Sequence, residues 1–190
     1  MIVMIVNGRI LGVYEYWGIQ RVGKSTVMVR DMLRLVSFHG FDFTDVLANF
    51  RVFIDGVRCG SSEWLMEEIM KIIAGKIRGK LVLFDELGQF LGARGWKEKY
   101  QTKLANSLWQ FPKRNLIFMY SDNVGNSADV IIRDATWETI APQFYSGENR
   151  EGDYIVASVI KNYMAEIVRG IVIPGVYAYQ RLFDSFEPIE

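Results

Sequence analysis

The chain has 190 residues, half of them hydrophobic and 14% aromatic, with 22 basic side chains against 22 acidic ones. That length and apolar content suffice for a full core without staples, so one domain spanning residues 1–190 is expected. The zero net charge excludes a global positive field, and the single cysteine and single histidine exclude a disulfide framework and a zinc site; a reduced intracellular protein is expected.

In chain order, residues 1–6 are apolar, lack a basic flank and end at Asn7-Gly8, a hairpin turn signal, so they read as a strand and not as a leader. Further strand signals lie at 10–17, 50–54, 80–84, 116–121, 137–142, 153–160 and 172–182. Helix signals lie at 25–38, 63–77, 97–109 and about 126–133. In 63–77, Leu65, Ile69, Ile72, Ile73 and Ile77 share one face while Glu67, Glu68, Lys71 and Lys76 take the other, with Ser61 or Ser62 as cap. The run Leu81-Val82-Leu83-Phe84 is apolar on both faces, as a central strand between helix layers requires. The alternation predicts an α/β fold, a mainly parallel sheet covered by helices on both faces. No window reaches the roughly 18 uninterrupted apolar residues of a membrane span. Residues 167–179 come nearest and are broken by Arg169, Gly170, Pro174 and Gly175, so a soluble protein is expected.

Between the second strand and the first helix, Gly18-Ile19-Gln20-Arg21-Val22-Gly23-Lys24-Ser25-Thr26 spells G-x-x-x-x-G-K-S, a P-loop, or Walker A motif, in the strand–loop–helix context the motif needs. Its glycines let backbone N–H groups and a helix N-terminus converge on a phosphate chain. Gly18, Arg21, Val22, Gly23, Lys24, Ser25 and Thr26 would therefore hold ATP. Lys24 would reach the β- and γ-phosphates and the Ser25 hydroxyl would join the Mg²⁺ shell.

The strand 80–84 ends in Asp85-Glu86, a Walker B arrangement. Asp85 would hold the Mg²⁺ shell and Glu86 would polarise the attacking water. An Asp-Glu pair at this point favours a hydrolysing ATPase of the additional-strand group. The next strand ends in Ser121-Asp122-Asn123. Asn123, or Asp122, is the candidate to touch both the γ-phosphate and the water; plain turn chemistry is the alternative.

The order of these motifs resembles the FtsK/HerA superfamily of P-loop ATPases. The likeness runs from about residue 12 to 134 and takes in Arg94 after Walker B, the Lys113-Arg114 pair, and Ala128-Asp129-Val130-Ile131-Ile132-Arg133 after the strand tip. It is closer to the small viral members, which include virus DNA-packaging ATPases and the N-terminal domain of Zot-like phage morphogenesis proteins. Phe183-Asp184-Ser185-Phe186-Glu187 is similar to a tail motif of that group. The chain departs from the pattern in carrying Asp122-Asn123 where the group has Gln, and in keeping only Arg133 of a basic pair.

The resemblance implies a RecA-like P-loop ATPase acting as an oligomeric DNA translocase that packages a viral genome, cytoplasmic in a host cell or virion-associated. It implies a homo-oligomeric ring whose trans-acting arginine is first Arg133, then Arg94 or Arg114; Arg21 would act within its own subunit. Residues 92–99, basic and aromatic, would meet the backbone of double-stranded DNA without reading sequence, or form a subunit contact. A capsid or membrane-anchored partner is possible in this scheme. The alternatives are a Zot-like extrusion ATPase, a nucleotide-gated assembly switch with slow turnover, and, more remotely, a small-molecule kinase.

Overall fold

The computed structural model describes residues 5–6, 9–10, 12–39, 41–54, 57–58, 62–88, 101–123, 130–161 and 166–184. Strands β1 (Ile5–Val6) and β2 (Arg9–Ile10) pair antiparallel on either side of the Asn7-Gly8 position. Next come β3 (Gly12–Gly18), α1 (Lys24–His39), β4 (Val46–Ala48), β5 (Arg51–Ile54), β6 (Val57–Arg58), α2 (Ser62–Ile73) and β7 (Leu81–Phe84). After α3 (Gln101–Leu108) follow β8 (Ile117–Asn123), α4 (Val130–Ala135), β9 (Glu138–Tyr145), β10 (Tyr154–Lys161), β11 (Glu166–Pro174), α5 (Val176–Gln180) and β12 (Phe183–Asp184).

The main sheet has seven strands in the order β11-β10-β9-β3-β8-β7-β4. From β9 to β4 every pairing is parallel, while β10 and β11 add an antiparallel hairpin at one edge. β8 lies between β3 and β7, so one additional strand separates the phosphate-loop strand from the acidic one.

Side-chain alternation sorts the sheet's residues into two cores. Tyr14 and Tyr16, Leu81 and Leu83, and Ile117 and Met119 pack with Val27, Met28 and Met32 of α1. Val13, Val82, Phe84, Phe118 and Tyr120 pack on the opposite face with Ile69 and Ile72 of α2, Leu104 and Leu108 of α3 and Ile132 of α4. Phe118 meets Phe111 edge-on at 6.0 Å and lies beside Tyr120 at 5.8 Å. Aromatic pairs of this kind contribute roughly 0.5–1.5 kcal/mol each beyond their buried area. They brace the middle of β8, whose end carries Ser121 and Asn123 to the site.

Three segments differ from their sequence reading. The helix expected over 63–77 ends at Ile73, so Lys76 and Ile77 lie beyond it. Residues 50–54 do form a strand, but β5 pairs antiparallel with β6 and β12 in a separate small sheet. The parallel edge position is taken by β4, whose three residues are all buried against β7, with Val46 opposite Leu81. A turn at 43–45, capped by the Asp42 side chain on Thr44 N–H at 2.9 Å, delivers the chain into β4, and Lys80 holds Asp45 at 3.0 Å. The segment 172–182 is not one strand. β11 ends at Pro174, Gly175 takes a left-handed conformation at φ 65°, and α5 begins at Val176. The apolar run continues through this change of structure, which is why composition hides it.

Among the described residues no helix is long and apolar enough to cross a membrane.

Candidate functional site

β3 delivers the chain at Gly18, residues 19–23 turn, and α1 starts at Lys24, so the loop stands at the C-terminal end of the parallel strands. Gly23 has φ 92°, and a Cβ there would lie 2.4 Å from Ile155 Cδ1. The position needs glycine for its backbone angle, and any side chain there would also have to displace the end of the Ile155 side chain. Val27 N–H closes the first helical turn on the Gly23 carbonyl at 3.0 Å. Arg21, at φ 63°, is exposed at the loop's crest, Val22 is half-buried and Thr26 is buried.

Lys24 is 7% exposed and donates to three oxygens of its own chain. These are the Ile19 carbonyl at 2.7 Å, the Gly18 carbonyl at 3.1 Å and Asn123 Oδ1 at 2.7 Å. An ammonium has three N–H groups, so all are engaged. Burial pushes its pKa down from the ordinary lysine value, while the carboxylates Asp85, Glu86 and Asp122 oppose that shift. A phosphate would take over the place of a carbonyl or amide as the lysine's partner.

Asp85 and Glu86 follow directly on β7. The parallel register sets Phe84 beside Tyr120, so Asp85 comes next to Ser121. Ser25 Oγ donates to Asp85 Oδ2 at 2.9 Å, and Ser121 Oγ donates to Asp85 Oδ1. The backbone of Asp85 is bracketed by one side chain. Its N–H donates to Asn49 Oδ1 at 2.7 Å, and Asn49 Nδ2 donates to its carbonyl at 2.9 Å. Glu86 adopts a left-handed conformation at φ 56°, uncommon for a non-glycine residue, and its N–H donates to Ser121 Oγ at 2.8 Å. Asn123 Nδ2 donates to Glu86 Oε1 at 3.2 Å, so Asn123 bridges the lysine and the glutamate.

The structure therefore brings Lys24, Ser25, Asp85, Glu86 and Asn123 into one hydrogen-bonded cluster. Residues 121–123 are strand and not turn, and period-two alternation points Ser121 and Asn123 to the α1 side. Asp122 faces away, buried, with its Oδ1 accepting the Asn123 N–H at 2.9 Å.

Arg133 is exposed on α4 and, among the described residues, makes no hydrogen bond to the cluster. Arg114 is occupied within the chain, donating to the Ile72 carbonyl at the end of α2 at 2.9 Å and packing on Gly75. Arg94, the 92–99 segment, Ala128 and Asp129 lie outside the described residues, as does the tail from residue 185.

Asn49 and Ser121 were not singled out in the sequence. Ser121 had a signal, the two-residue spacing before Asn123 on a strand; Asn49 had none, because β4 itself was not visible.

The donor set suits a hard cation. Ser25 Oγ and Asp85 Oδ2 are oxygen donors in mutual contact, and Mg²⁺ is held in nucleotide sites by one or two such groups with waters and phosphate oxygens. Among the described residues no cluster of three or more His, Cys, Asp or Glu side chains forms an all-protein metal cage. The residues present thus fit a magnesium ion that arrives with a nucleotide.

No family model matches the chain, and no curated protein matches it in sequence. Solved structures do. The flagellar accessory protein FlaH from Methanocaldococcus jannaschii superposes with a TM-score of 0.56 at 13% identity, over 91% of this chain and 88% of that one. The N-terminal domain of zonular occludens toxin from Neisseria meningitidis gives 0.58 at 15%, over 91% and 98%. The genome packaging NTPase B204 from Sulfolobus turreted icosahedral virus 2, in complex with ATP-γS, gives 0.54 at 10%, over 87% and 98%. The chain has the α/β P-loop ATPase fold that its motifs predicted.

Proposed function

We propose that this chain is an ATP-hydrolysing, oligomeric DNA translocase of the FtsK/HerA type, nearest in role to viral genome packaging. The observation that carries the reading is the Ser25–Asp85 contact of 2.9 Å, with Glu86 beside it and Asn123 linking Glu86 to Lys24. The likeness to a packaging NTPase that was solved with ATP-γS supports ATP as the ligand.

In this reading the 18–26 loop binds the phosphates through backbone N–H groups, and Lys24 exchanges one of its chain partners for a phosphate oxygen. Ser25 and Asp85 would hold Mg²⁺, which when bound would supply positive charge at the phosphates. Glu86, set beside the site by its left-handed backbone, accepts a proton from the attacking water, and Asn123 orients it. The arginine that completes the charge balance comes from a neighbouring subunit of a ring, with Arg133, exposed on α4, the first candidate; such a residue contributes about 10³-fold or more. Non-sequence-specific backbone contacts to double-stranded DNA, from the 92–99 segment, and a capsid or membrane-anchored partner complete the scheme. The working location is a host cytoplasm or a virion.

A slow nucleotide-gated assembly switch is the second reading. Its support is that every Lys24 donor and the Glu86 carboxylate are engaged by the chain itself. The likeness to a flagellar accessory protein and to the zonular occludens toxin domain also keeps assembly or extrusion roles in view. ATP hydrolysis measured at low salt with and without double-stranded DNA separates the two. The translocase reading predicts stimulation by DNA; an unchanged rate transfers the chain to the switch reading.

A further inference from the structure

We infer that Ser121 is a positioning residue that ties the metal-side carboxylate of Asp85 to the backbone of Glu86. The inference rests on the nucleotide-binding reading above and deepens it by naming the group that couples its two acids.

A carboxylate at the end of a strand is free to rotate unless both of its oxygens are held. Here Ser25 Oγ holds Oδ2 from the loop side and Ser121 Oγ holds Oδ1 from β8. The same Ser121 oxygen accepts the Glu86 N–H at 2.8 Å. One hydroxyl thus gives its proton to Asp85 and a lone pair to Glu86, and Ser121 itself is fully buried at 0% exposure beneath the half-buried Asp85 and Glu86. The parallel register enforces the arrangement, since Ser121 is the residue beside Asp85 once Phe84 lies beside Tyr120. Asn49 holds the Asp85 backbone, and beside the peptide bond that joins the two acids the Ser121 hydroxyl gives the Asp85 carboxylate a second connection to Glu86. Outer-shell hydrogen bonds of this kind typically change metal affinity or activity by about 10- to 100-fold when removed.

The test is calorimetric titration of the full chain with ATP, in EDTA and in excess MgCl₂. Ser121→Ala is expected to leave binding in EDTA unchanged and to weaken binding in MgCl₂ by about tenfold, so that most of the metal-dependent gain disappears. Ser121→Thr keeps the hydroxyl and restores the gain. Ser121→Cys, of similar size but a weak donor, loses it and carries the test if the alanine variant does not fold. Ser107→Ala is the comparison for burial alone, because Ser107 is 6% exposed and donates to Leu104 O at 2.7 Å within α3. It is expected to lower the melting temperature and leave the magnesium-dependent gain intact. If wild type gains affinity from Mg²⁺ and Ser121→Ala and Ser121→Cys gain equally, the inference is overturned and the site reading stands. If wild type binds no ATP in either buffer, both fall.

Discussion

Asn123 is the residue whose role is most exposed to test, because its one amide accepts from Lys24 and donates to Glu86. Truncation to alanine leaves Lys24 with its two loop carbonyls and leaves Glu86 without its orienting donor. Asn123→Ala is therefore expected to reduce kcat by about 100-fold while changing the KM for ATP little, the pattern of an interaction that matters in the transition state. Steady-state ATP hydrolysis checks it, and an unchanged kcat would return Asn123 to a structural role. In the sequence this residue was the first candidate for the strand tip, favoured over Asp122 by its spacing to Arg133, with a plain turn as the alternative. Alternation separates them, since residues 117, 119, 121 and 123 share the α1 side and 118, 120 and 122 the other. The strand itself runs to Asn123, two residues beyond the end expected at Ser121, and that is what excludes the turn.

At the scale of elements, β3 carries a buried acid that the motif does not require. Glu15 is 4% exposed, accepts from Thr139 Oγ1 at 2.7 Å, and its other oxygen has no partner among the described residues. Burial raises its pKa above the ordinary carboxylate range and Asp122 adds to the rise, while the Thr139 hydrogen bond and the Arg133 and Tyr120 side chains oppose it. A carboxyl with a raised folded-state pKa binds more protons folded than unfolded. Its contribution to stability is whole below the unfolded value and is lost as pH rises through the folded one. The melting temperature of Glu15→Gln should accordingly gain on wild type as pH rises from about 5 to about 8. A difference that stays constant with pH would contradict this. The element order itself was largely legible, because long apolar runs followed by Gly-Lys-Ser or Asp-Glu announce strand, loop and helix together. β4 was not, since three buried residues have no periodicity to read, and its partner Asn49 went with it. Nor was the break at Gly175, where Val, Tyr and Ala suit strand and helix alike and a left-handed backbone decides.

For the molecule as a whole, the sheet order and the cluster at its C-terminal edge are one design. Inserting β8 between β3 and β7 places a polar strand end between lysine and glutamate, so one strand supplies both the Ser121 link and the Asn123 bridge. In the proposed function a nucleotide and its magnesium would be gripped between Lys24-Ser25 and Asp85, with Glu86 as base. The most direct test compares wild type and Glu86→Gln for MgATP binding and MgATP hydrolysis side by side. Retained binding and a loss of turnover of about 100-fold or more, the range of a missing general base, are expected; a Glu86→Gln chain that hydrolyses ATP at the wild-type rate would rule out Glu86 as the base.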